Sequence, residues 1–503
     1  MRKFLLLSFL LISLIFGNNA FSQNKRIPLR HGSHQEGKRT DEYMQRWRES
    51  GLGQFIHWGV YAIPGGQWNG KTSTYAAEWF RTSGLITREE YDNLYKQFNP
   101  VKFNAVQWAK QAKQMGAKYM IFTTKHHDGF CMWPSKYTDY TIANTPYKND
   151  IVKEIVDAYT AEGIDVHLYF SIIDWNHPGY QGGAQITGND RLNWAGYEAF
   201  KTEEQKERYE TFKEFTRNQL IELLTNYPQI KGLWFDGSWD GAWMKEAAWT
   251  DALGAELREM HPGLIIGSRF RADEYGKRHF DSNGELIDDY NQTFERNLPN
   301  TLEDVKGYDW DCVMTIPENQ WGYHRDWTLT YVKTPYDLIE MTVKANSLNG
   351  NFVINFGPDG EGNIRTEETR IAKGVGDWMA VNGEAVYGVE HSGLDKQDWG
   401  YSTKKGDKIY LTVFNKPMNN KVRVKVPRST KKDMLYVIED AQFLATKQKA
   451  AVTDGGRDKS GAYYYDIDLP AKMMQKTTDP FVIVIKLKEV DKGDKDNYQQ
   501  AII

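Results

Sequence analysis

The feature that most constrains the fold of this chain is a regular alternation of helical and strand-like segments over residues 41–385. In the clearest unit, Asn104 can cap a helix that ends at Gly116, and the apolar stretch 118–124 follows as a buried strand. The apolar residues of that helix recur at the spacing of one helical face: Ala105, Trp108, Ala109, Ala112 and Met115. Alternation of this kind predicts parallel β/α units.

Further continuous apolar runs of strand length follow most of the other helical segments. These runs are 54–60, 164–171, 230–235, 264–268, 313–316 and 352–356. Together with 118–124 they make seven predicted strands, a number that indicates an α/β fold with a TIM-like (β/α)8 barrel rather than an open sheet. The sequence reveals no eighth strand, so we expect an irregular barrel.

The pattern changes after Gly388. Short segments of alternating polarity, separated by glycine, proline, asparagine and lysine, are 408–414, 421–426, 434–438, 462–467 and 481–487. Such segments predict a C-terminal antiparallel β-sandwich domain. The expected organisation is a barrel over residues 41–388, a sandwich over 389–490 and a charged tail over 491–503.

The first 22 residues have the pattern of a secretory signal peptide. Two basic residues precede the apolar run Phe4–Phe16, and Ala20 and Ser22 supply small side chains at a cleavage site. Residues 23–40 are polar and irregular, which predicts a linker. We therefore expect an exported protein, periplasmic or extracellular. No membrane anchor is expected, because no cysteine lies near the cleavage site and no later apolar stretch reaches transmembrane length.

Composition excludes some classes of function. A formal charge of −4 gives no basic surface, which argues against a nucleic-acid partner. Cys131 and Cys312 are the only cysteines, so stability is expected from core size rather than from disulfides. The 17 Trp and 29 Tyr either pack a large core or stack on sugar rings, and composition alone leaves both interpretations open.

Polar and aromatic residues repeatedly follow the predicted strands. In a barrel of this type, the residues just past the carboxyl ends of the strands line the active site. The residues at those positions are His57, Trp58, His126, His127, Asp128, Tyr169, Asp174, Trp175, Trp234, Asp236, Arg269, Asp311 and Asn355. An ordinary surface would not concentrate histidines, acids and tryptophans at one rim, so we predict the functional site there.

Asp236 is the sharpest candidate for chemistry. It ends a buried strand, and Gly237 lets the chain turn away behind it. A carboxylate on a rigid strand end suits attack at an anomeric carbon, and retaining glycoside hydrolysis then needs a second carboxyl roughly 5 Å away. Candidates for that second group are Asp288, Asp289, Glu295 and Asp311. An aspartate that only caps a turn is the structural alternative for Asp236.

The histidines could suggest a metal site. His126 and His127 are adjacent, however, and on an extended segment their side chains would point to opposite sides. Neither an HExxH motif nor a Cys/His spacing typical of zinc is present. Contact with sugar hydroxyls, a purely structural role and a metal site all remain open. We favour sugar contact, and we predict that no metal and no cofactor is needed.

Several stretches resemble the α-L-fucosidases of glycoside hydrolase family 29. They occur in family order over about 330 residues, and TKHHDGF and WFDG are together highly specific. The stretches are FIHWGVY (55–61), EWF (78–80), TTKHHDGFCMW (123–133), LYFSIIDWNHP (168–178), LWFDG (233–237), WGYHRD (321–326), NFVINFGPDGEG (351–362) and WMAVNGEAVYG (378–388).

The resemblance implies a role for individual residues. Asp236 matches the family nucleophile. The residues that match positions around the fucose are His57, Glu78, Trp79, His126, His127, Tyr169, Trp234 and Arg269. In similar enzymes the acid/base lies on a variable loop after the strand that bears the matching arginine, here residues 270–299. Asp289, followed by Tyr290, resembles the pair that carries this role in relatives, and Glu295 is the second candidate. Asp311 stands where relatives have Glu, which weakens its claim.

The resemblance therefore implies a retaining, exo-acting α-L-fucosidase that removes terminal fucose from glycans through a covalent fucosyl-enzyme. An α-L-galactosidase on the same scaffold is the alternative, since an apolar pocket rejects an added hydroxyl only modestly. A non-catalytic carbohydrate-binding protein is a further alternative. It would be expected to have lost Asp236 or the histidines, and this sequence keeps both.

Overall fold

The computed structural model describes residues 34–35, 38–180, 202–328 and 330–494. Its first domain is built on eight parallel strands, numbered here β1 to β8 in chain order. Their bounds are β1 Leu52–Ile56, β2 Tyr119–Lys125, β3 Asp165–Ser171, β4 Gly232–Asp236, β5 Ile265–Ile266, β6 Asn291–Glu295, β7 Trp310–Thr315 and β8 Asn351–Phe356. The predicted TIM-like α/β fold is confirmed.

The strands follow one another in chain order, and β8 pairs with β1. Between β5 and β6 the sheet is joined only by a parallel bridge of Gly267 with Tyr290. Two backbone hydrogen bonds accompany that bridge, from Ser268 N–H to the Tyr290 carbonyl (3.0 Å) and from Asp289 N–H to the Ile266 carbonyl (2.8 Å). The curled sheet therefore has its least regular junction, called here the seam, between β5 and β6.

The strand that the sequence did not reveal is β6. Its residues Asn291–Glu295 are mostly polar, and its pairing with β7 shifts register between Asn291 and Phe294. A short, irregular strand of polar residues gives neither a continuous apolar run nor strict alternation. Hydrophobic patterning alone therefore could not identify it.

Most of the helices surround the sheet on its outer face, whereas the first packs against the inner core. The predicted helix after Asn104 is confirmed: the Asn104 side chain accepts a hydrogen bond from the Gln107 N–H, and Gly116 ends the helix at φ +100°. The helices of the first domain are α1 Glu42–Arg48, α2 Arg88–Asp92, α3 Ala105–Met115, α4 Ile151–Ala161, α5 Glu203–Asn226, α6 Ala247–Met260, α7 Leu302–Val305, α8 Pro335–Ser347 and α9 Thr366–Asn382.

Side chains that alternate along the strands fill the barrel interior. This inner core consists of Phe55, Tyr119, Ile121, Tyr169, Trp234, Ile265, Tyr290, Val313 and Val353, with Met44 and Trp47 of α1 and with Trp321. The intervening residues, such as Phe122 and Phe235, belong to the outer core against the helices. Because the period of a strand is two, the residues that continue the inner row at the carboxyl ends face the barrel mouth.

The C-terminal domain contains two antiparallel sheets. Its strands are β9 Glu390–His391, β10 Gly400–Lys405, β11 Lys408–Val413, β12 Lys421–Lys425, β13 Met434–Phe443, β14 Val452–Arg457, β15 Tyr463–Asp468 and β16 Phe481–Asp491. A five-stranded sheet has the order β9-β10-β11-β16-β13, and a three-stranded sheet has the order β12-β15-β14. Buried residues of both sheets form one shared core, as the sandwich prediction requires.

The segments predicted at the two ends of the chain lie mostly outside the described residues. The last strand runs through Asp491, one residue into the predicted tail, and Lys492–Asp494 form a short 3₁₀ turn. Residues 495–503 lie outside the described residues, as do 1–33, so the predicted signal peptide and most of the linker stay predictions. Within the described ranges, no helix has the length and apolar character needed to cross a membrane.

Candidate active site

A cavity of about 690 Å³ opens at the carboxyl ends of the barrel strands. Six of the thirteen residues that the sequence placed at this rim meet in its wall: His57, His126, His127, Trp234, Asp236 and Arg269. The lining consists of Phe55, His57, Thr74, Tyr75, Ala76, Glu78, Trp79, His126, His127, Trp234, Asp236, Trp239, Arg269, Glu295, Arg296, Asn319, Gln320 and Trp321. The combination of aromatic faces with a few convergent charged groups is typical of a ligand site.

Asp236 is held rigidly at the mouth of the barrel. It is the last residue of β4 and lies two residues after Trp234, so both side chains continue the inner row of the strand. Gly237 follows at φ +99°, and a Cβ there would come within 2.6 Å of Ile173 Cγ1. The turn that aims the carboxylate into the cavity therefore requires glycine.

One guanidinium group joins two carboxylates in this cavity. Arg269 donates from Nη1 to Asp236 Oδ1 at 3.1 Å and from Nη2 to Glu295 Oε2 at 2.5 Å. Arg269 follows β5, while Asp236 ends β4 and Glu295 ends β6, so three neighbouring strands deliver the three groups. Both carboxylates therefore lie within hydrogen-bonding distance of a single guanidinium.

Burial and the shared arginine affect the two carboxylates differently. Burial raises the pKa of Asp236 to about 6, although Arg269 and the Tyr169 hydroxyl act in the opposite direction. Burial also acts to raise the pKa of Glu295, but Arg269, together with Arg296, holds it below its usual range. The two groups thus differ in proton affinity, as acid/base pairs in active sites do.

The tautomer of His127 follows from its partner. Ser171 Oγ donates its only proton to the Ile173 carbonyl (2.7 Å), so the 2.6 Å contact with His127 must be donated by Nδ1–H. Burial lowers the pKa of His127 to about 3, so the ring is neutral. Its Nε2 therefore carries a lone pair, and it lies 3.6 Å from Asp236 Oδ2.

His57 is fixed in the same way. The Asn355 amide donates from Nδ2 to the Trp321 carbonyl (2.8 Å), which leaves Asn355 Oδ1 to accept from His57 Nδ1–H at 2.6 Å. Burial lowers the pKa of His57 to about 3, although Asn355 acts in the opposite direction. His57 and His127 thus both offer a neutral Nε2 acceptor, the kind of group that binds a sugar hydroxyl.

Glu78 and His126 retain hydrogen-bonding capacity inside the cavity wall. Glu78 Oε2 accepts from the Gly322 N–H at 2.9 Å, whereas Oε1 is buried without a partner among the described residues. Burial raises the pKa of Glu78 to about 7, despite the Gly322 hydrogen bond. His126 Nδ1 is likewise buried without a described partner. Buried polar atoms of this kind are expected to pair with a ligand or with water.

Aromatic rings support the polar groups from below and from the side. Tyr169 stacks on Trp234 with ring centroids 5.4 Å apart and donates its hydroxyl proton to Asp236 Oδ2 at 2.9 Å. The Arg269 guanidinium lies 5.1 Å from the centre of the Trp234 ring, which favours its charge. Trp79 packs edge-on against His127 at 5.1 Å. All the residues implied by the resemblance except Asp289 and Tyr169 are in direct contact with the cavity.

Comparison with known proteins identifies the family. A family model described as alpha-L-fucosidase matches residues 20–384, well over half of the chain. The chain belongs to the α-L-fucosidase family. The predictions of this family and of a glycoside hydrolase are therefore confirmed.

Relatives and solved structures of this family cover most of the chain. The tissue alpha-L-fucosidase of Mus musculus is 28% identical over 396 residues, which are 76% of this chain and 80% of the mouse protein. A Bacteroides thetaiotaomicron family 29 α-L-fucosidase is 46% identical with a TM-score of 0.82, covering 92% of this chain and 99% of that one. Isoenzyme 1 of Paenibacillus thiaminolyticus is 30% identical with a TM-score of 0.71, covering 89% and 99%.

The structure separates the two sequence candidates for the α-L-fucosidase acid/base. Glu295 lies in the cavity beside Arg269. Asp289 lies at the other end of β6, is fully buried, and contacts Arg39 (3.0 Å) and Arg258 (3.3 Å). It also accepts the Ile266 N–H at 2.8 Å. The preferred sequence candidate is therefore not placed beside Asp236, and the second candidate is.

The other two acids proposed from sequence are also outside the cavity. Asp288 is fully buried against Arg258 and Arg271. Asp311 is the second residue of β7, so it lies toward the amino end of the barrel and not at the strand end expected from sequence. Burial raises the pKa of Asp311 to about 8, against the influence of Arg269. The sequence expectation failed because the apolar run used to place this strand begins only at Val313.

Sequence reasoning also missed several residues of the cavity wall. Trp321 lies in the stretch WGYHRD, so its family motif was a usable signal. Asn355 was placed at the rim by the sequence and Ser171 was not, and both lie behind the histidines that they orient, a pairing that no spacing in the sequence reveals. Tyr75, Trp239, Arg296, Asn319 and Gln320 lie on loops, which carry no periodic pattern.

The two adjacent histidines differ from the sequence expectation. Their rings do not diverge: the centroids of His126 and His127 are 4.3 Å apart and both line the cavity. The register of β2 shifts between Thr123 and Lys125, so strict alternation ends before the histidines. Across the described ranges, no group of three or more His, Cys, Asp or Glu side chains has the arrangement of a metal site.

Proposed function

We propose that this family member is a retaining, exo-acting α-L-fucosidase with Asp236 as nucleophile and Glu295 as acid/base. The observation that carries the proposal is the pairing of these two carboxylates on one Arg269 guanidinium at the barrel mouth. In retaining enzymes the two carboxyl groups lie close together, about 5–5.5 Å apart, and contact of both with one guanidinium is consistent with a close pair. Asp289 is assigned a structural role.

The Bacteroides relative supports both parts of this assignment. Its structure contains a covalent intermediate trapped with 2-fluoro-fucosyl fluoride in a variant in which a glutamate is changed to glutamine. A trapped covalent intermediate supports double displacement. The use of a glutamate-to-glutamine variant to trap the intermediate in that enzyme supports Glu295 rather than Asp289 in this one.

The mechanism transfers one fucosyl group twice. An Asp236 carboxylate oxygen attacks C1 of fucose while the bond from C1 to the aglycone oxygen breaks, and the Glu295 carboxyl gives its proton to that oxygen. Glu295 then takes a proton from water, the water oxygen attacks C1, and the ester bond to Asp236 breaks. Both steps invert C1, so the product retains the configuration of the substrate.

Glu295 must gain a proton, and Asp236 must be ionised, before the first step can occur. Arg269 and Arg296 now favour ionised Glu295, whereas the first step needs Glu295 protonated and Asp236 ionised. A fucose ring between the carboxylates would weaken the contact of Arg269 with Glu295 and remove water from it. Both effects raise the pKa of an acid, so substrate binding itself prepares Glu295 as proton donor.

The neutral groups around the carboxylates fit the hydroxyls of one sugar. His57 and His127 accept hydrogen bonds through Nε2, while Glu78, with a pKa near 7, can donate or accept through Oε1. Trp234 and Trp321 supply apolar surface in the same wall. A cavity of about 690 Å³ at the end of the barrel holds a terminal sugar, which supports exo action on fucosylated oligosaccharides or glycoconjugates.

The test is hydrolysis of 4-nitrophenyl α-L-fucoside, followed by NMR during the first minutes. We expect release of nitrophenol with α-L-fucose as the first-formed anomer. Release of β-L-fucose would exclude retention. Faster hydrolysis of the matched α-L-galactoside would favour the galactosidase alternative. Binding of fucose without turnover would identify a carbohydrate-binding protein instead.

We also propose that the protein is exported and acts in the periplasm or outside the cell. The support is the signal-peptide pattern of the first 22 residues. Cell fractionation and N-terminal sequencing of the mature protein test this. Recovery of activity in the cytoplasm with Met1 intact would contradict it.

A further inference from the structure

Arg296 occupies an unusual position beside the proposed acid/base. Its backbone has φ +60°, which folds the residue back toward its neighbour instead of continuing β6. Its Nη2 lies 3.2 Å from Glu295 Oε1, and its Nη1 lies 3.4 Å from Asn319 Oδ1. The side chain lines the cavity and is 47% exposed. Arg269 and Arg296 therefore contact different oxygens of Glu295, one from inside the cavity and one from the solvent side.

This position places Arg296 next to the departing half of the substrate. Arg269 joins Glu295 to Asp236, so it marks the side on which the fucose ring lies. The acid/base must reach the glycosidic oxygen, and the group bonded to that oxygen must extend away from Asp236. A cation on the solvent side of Glu295 then faces the sugar that is linked to fucose.

The charges around Glu295 are not balanced once reaction begins. Asp236 and Glu295 oppose Arg269 and Arg296 in the cavity wall. Arg278, on the loop after β5, adds a partly buried cation, and the structure records no ion pair for it among the described residues. Its pKa is lowered by burial and by the nearby Arg269. Because Glu295 is protonated when the first step begins, Asp236 alone then opposes these cations, and the charge that Asp236 loses on becoming an ester passes to Glu295.

We propose that Arg296 forms an anion-binding subsite for the leaving group, which selects fucosides whose neighbouring sugar carries a sulfate or a carboxylate. This rests on the proposed function of Asp236 and Glu295. The anion replaces Glu295 as the partner of Arg296. Glu295 is thereby freed from one of its two cations and holds its proton more readily, so the same contact that binds the substrate also prepares the acid.

The experiment compares three disaccharides on the full-length protein: fucose linked to galactose, the same compound sulfated at C6, and the same compound oxidised to a carboxylate at C6. We expect kcat/KM for at least one anionic substrate to exceed that for the neutral one by about two- to five-fold, the strength of a partly exposed ion pair. The preference should decrease with added salt. The sulfate and carboxylate arms show which anion the subsite takes.

Variants of Arg296 isolate its contribution. Arg296→Gln should remove the anionic preference, and Arg296→Lys should keep part of it, because lysine retains the charge but not the two-nitrogen geometry. The matched control is Arg325→Gln, an exposed arginine of the barrel mouth whose guanidinium contacts the Ile63 and Pro64 carbonyls. This control should leave the preference unchanged. Arg296→Gln should also move the alkaline limb of kcat/KM for the neutral substrate to higher pH.

The outcomes separate this inference from the proposed function. Equal kcat/KM for all three substrates, or the same preference in wild type and Arg296→Gln, overturns the subsite while fucosidase activity stands. No hydrolysis of the neutral disaccharide or of the 4-nitrophenyl fucoside overturns the proposed function itself. If Arg325→Gln also removes the preference for anionic substrates, the preference comes from the overall positive charge of the barrel mouth, and the subsite at Arg296 is overturned.

Discussion

The two ends of strand β6 carry two arginine–carboxylate clusters with different properties. The base cluster, at its amino end, contains Asp289, Arg39 and Arg258. The mouth cluster, at its carboxyl end, contains Asp236, Arg269 and Glu295. Both use the same chemical groups, and both bridge the seam between β5 and β6.

The clusters differ in what else their carboxylates contact. Asp289 is completely shielded from solvent, and its Oδ2 meets two arginines and the Ile266 N–H. The Asp236 and Glu295 side chains remain 13% and 22% exposed and face a cavity. A carboxylate enclosed by the protein stabilises the fold, whereas one left open to a cavity can react.

The largest expected effect comes from the mouth cluster. Asp236→Asn removes the nucleophile and keeps the shape of the side chain, but its NH2 group can no longer accept one of the two hydrogen bonds from Arg269 and the Tyr169 hydroxyl. We expect kcat to fall by roughly 10⁴-fold or more, as for other essential catalytic groups, with the thermal transition retained. Steady-state kinetics and circular dichroism measure the two quantities.

A control distinguishes loss of the nucleophile from local damage at Asp236. In Asp236→Gly, added azide can occupy the vacated space and attack C1 from the same side. The product would be a fucosyl azide of inverted configuration. Failure of azide to restore any activity in a folded variant would argue against a nucleophilic role.

The second effect tests the proposed acid/base at the carboxyl end of β6. Glu295→Gln should lower kcat/KM by about 10²–10⁴-fold for a disaccharide, which needs a proton at its leaving oxygen. For an activated aryl fucoside, whose leaving group needs no proton, the rate of the first step should fall much less. The second step still needs a base, so the covalent intermediate should accumulate. Stopped-flow kinetics and intact-protein mass spectrometry measure these. Equal losses for both substrates would contradict proton donation by Glu295.

The third effect concerns the base cluster, where we expect a loss of stability rather than of activity. Asp289→Asn removes one carboxylate from two buried arginines, although Arg39 keeps Asp41 and Arg258 keeps Asp288, so we expect a loss of about 3 kcal/mol of unfolding free energy. We expect a lower denaturation midpoint but near-normal kcat per folded molecule. If Asp289→Asn instead abolished kcat without a loss of stability, the assignment of the two clusters would be reversed.

A smaller effect is the pH dependence of stability at Asp236. Burial raises its pKa to about 6 in the folded protein, above the usual value of 3.8. The unfolded chain therefore releases this proton at lower pH than the folded one, and stability falls between about pH 4 and pH 6. Above that window the penalty is about 3 kcal/mol.

The measurement is the difference in unfolding free energy between Asp236→Asn and the wild type. We expect the variant to be relatively more stable above pH 6 and the difference to disappear below pH 4. The same titration should appear as an acid limb near pH 6 in kcat/KM, because the nucleophile must be ionised. If the difference in unfolding free energy did not vary with pH, burial would not raise the pKa of Asp236.

The smallest expected effect concerns the neutral part of the mouth. Asn355→Ala removes the acceptor that holds His57 as its Nδ1–H tautomer. We expect kcat/KM to fall by about tenfold, equivalent to one hydrogen bond of roughly 1–1.5 kcal/mol. Ser171→Ala is the matched change behind His127, and ¹⁵N NMR of the imidazoles reports both tautomers. Unchanged tautomers with unchanged kinetics would contradict the orienting role of these partners.

The fold was predictable wherever the pattern was repeated. Seven strands, the helix after Asn104 and the core strands of the second domain follow from apolar runs and end signals. Strand β6 was not predictable, because its five residues are mostly polar and its register shifts. The site followed from strand ends and family motifs, but the choice between Asp289 and Glu295 depended on that one unrecognised strand.

The sequence by itself determined the fold class, the family and the choice of Asp236 as the candidate nucleophile, because these depend on local patterning and on motifs that are contiguous in the chain. Only the tertiary structure decided which second carboxylate faces Asp236, which tautomers His57 and His127 adopt, and where Arg296 points. These properties arise from contacts between residues far apart in the chain. Asp289 and Glu295 are six residues apart along a strand that crosses the barrel wall, and only folding places Asp289 at the base and Glu295 at the mouth.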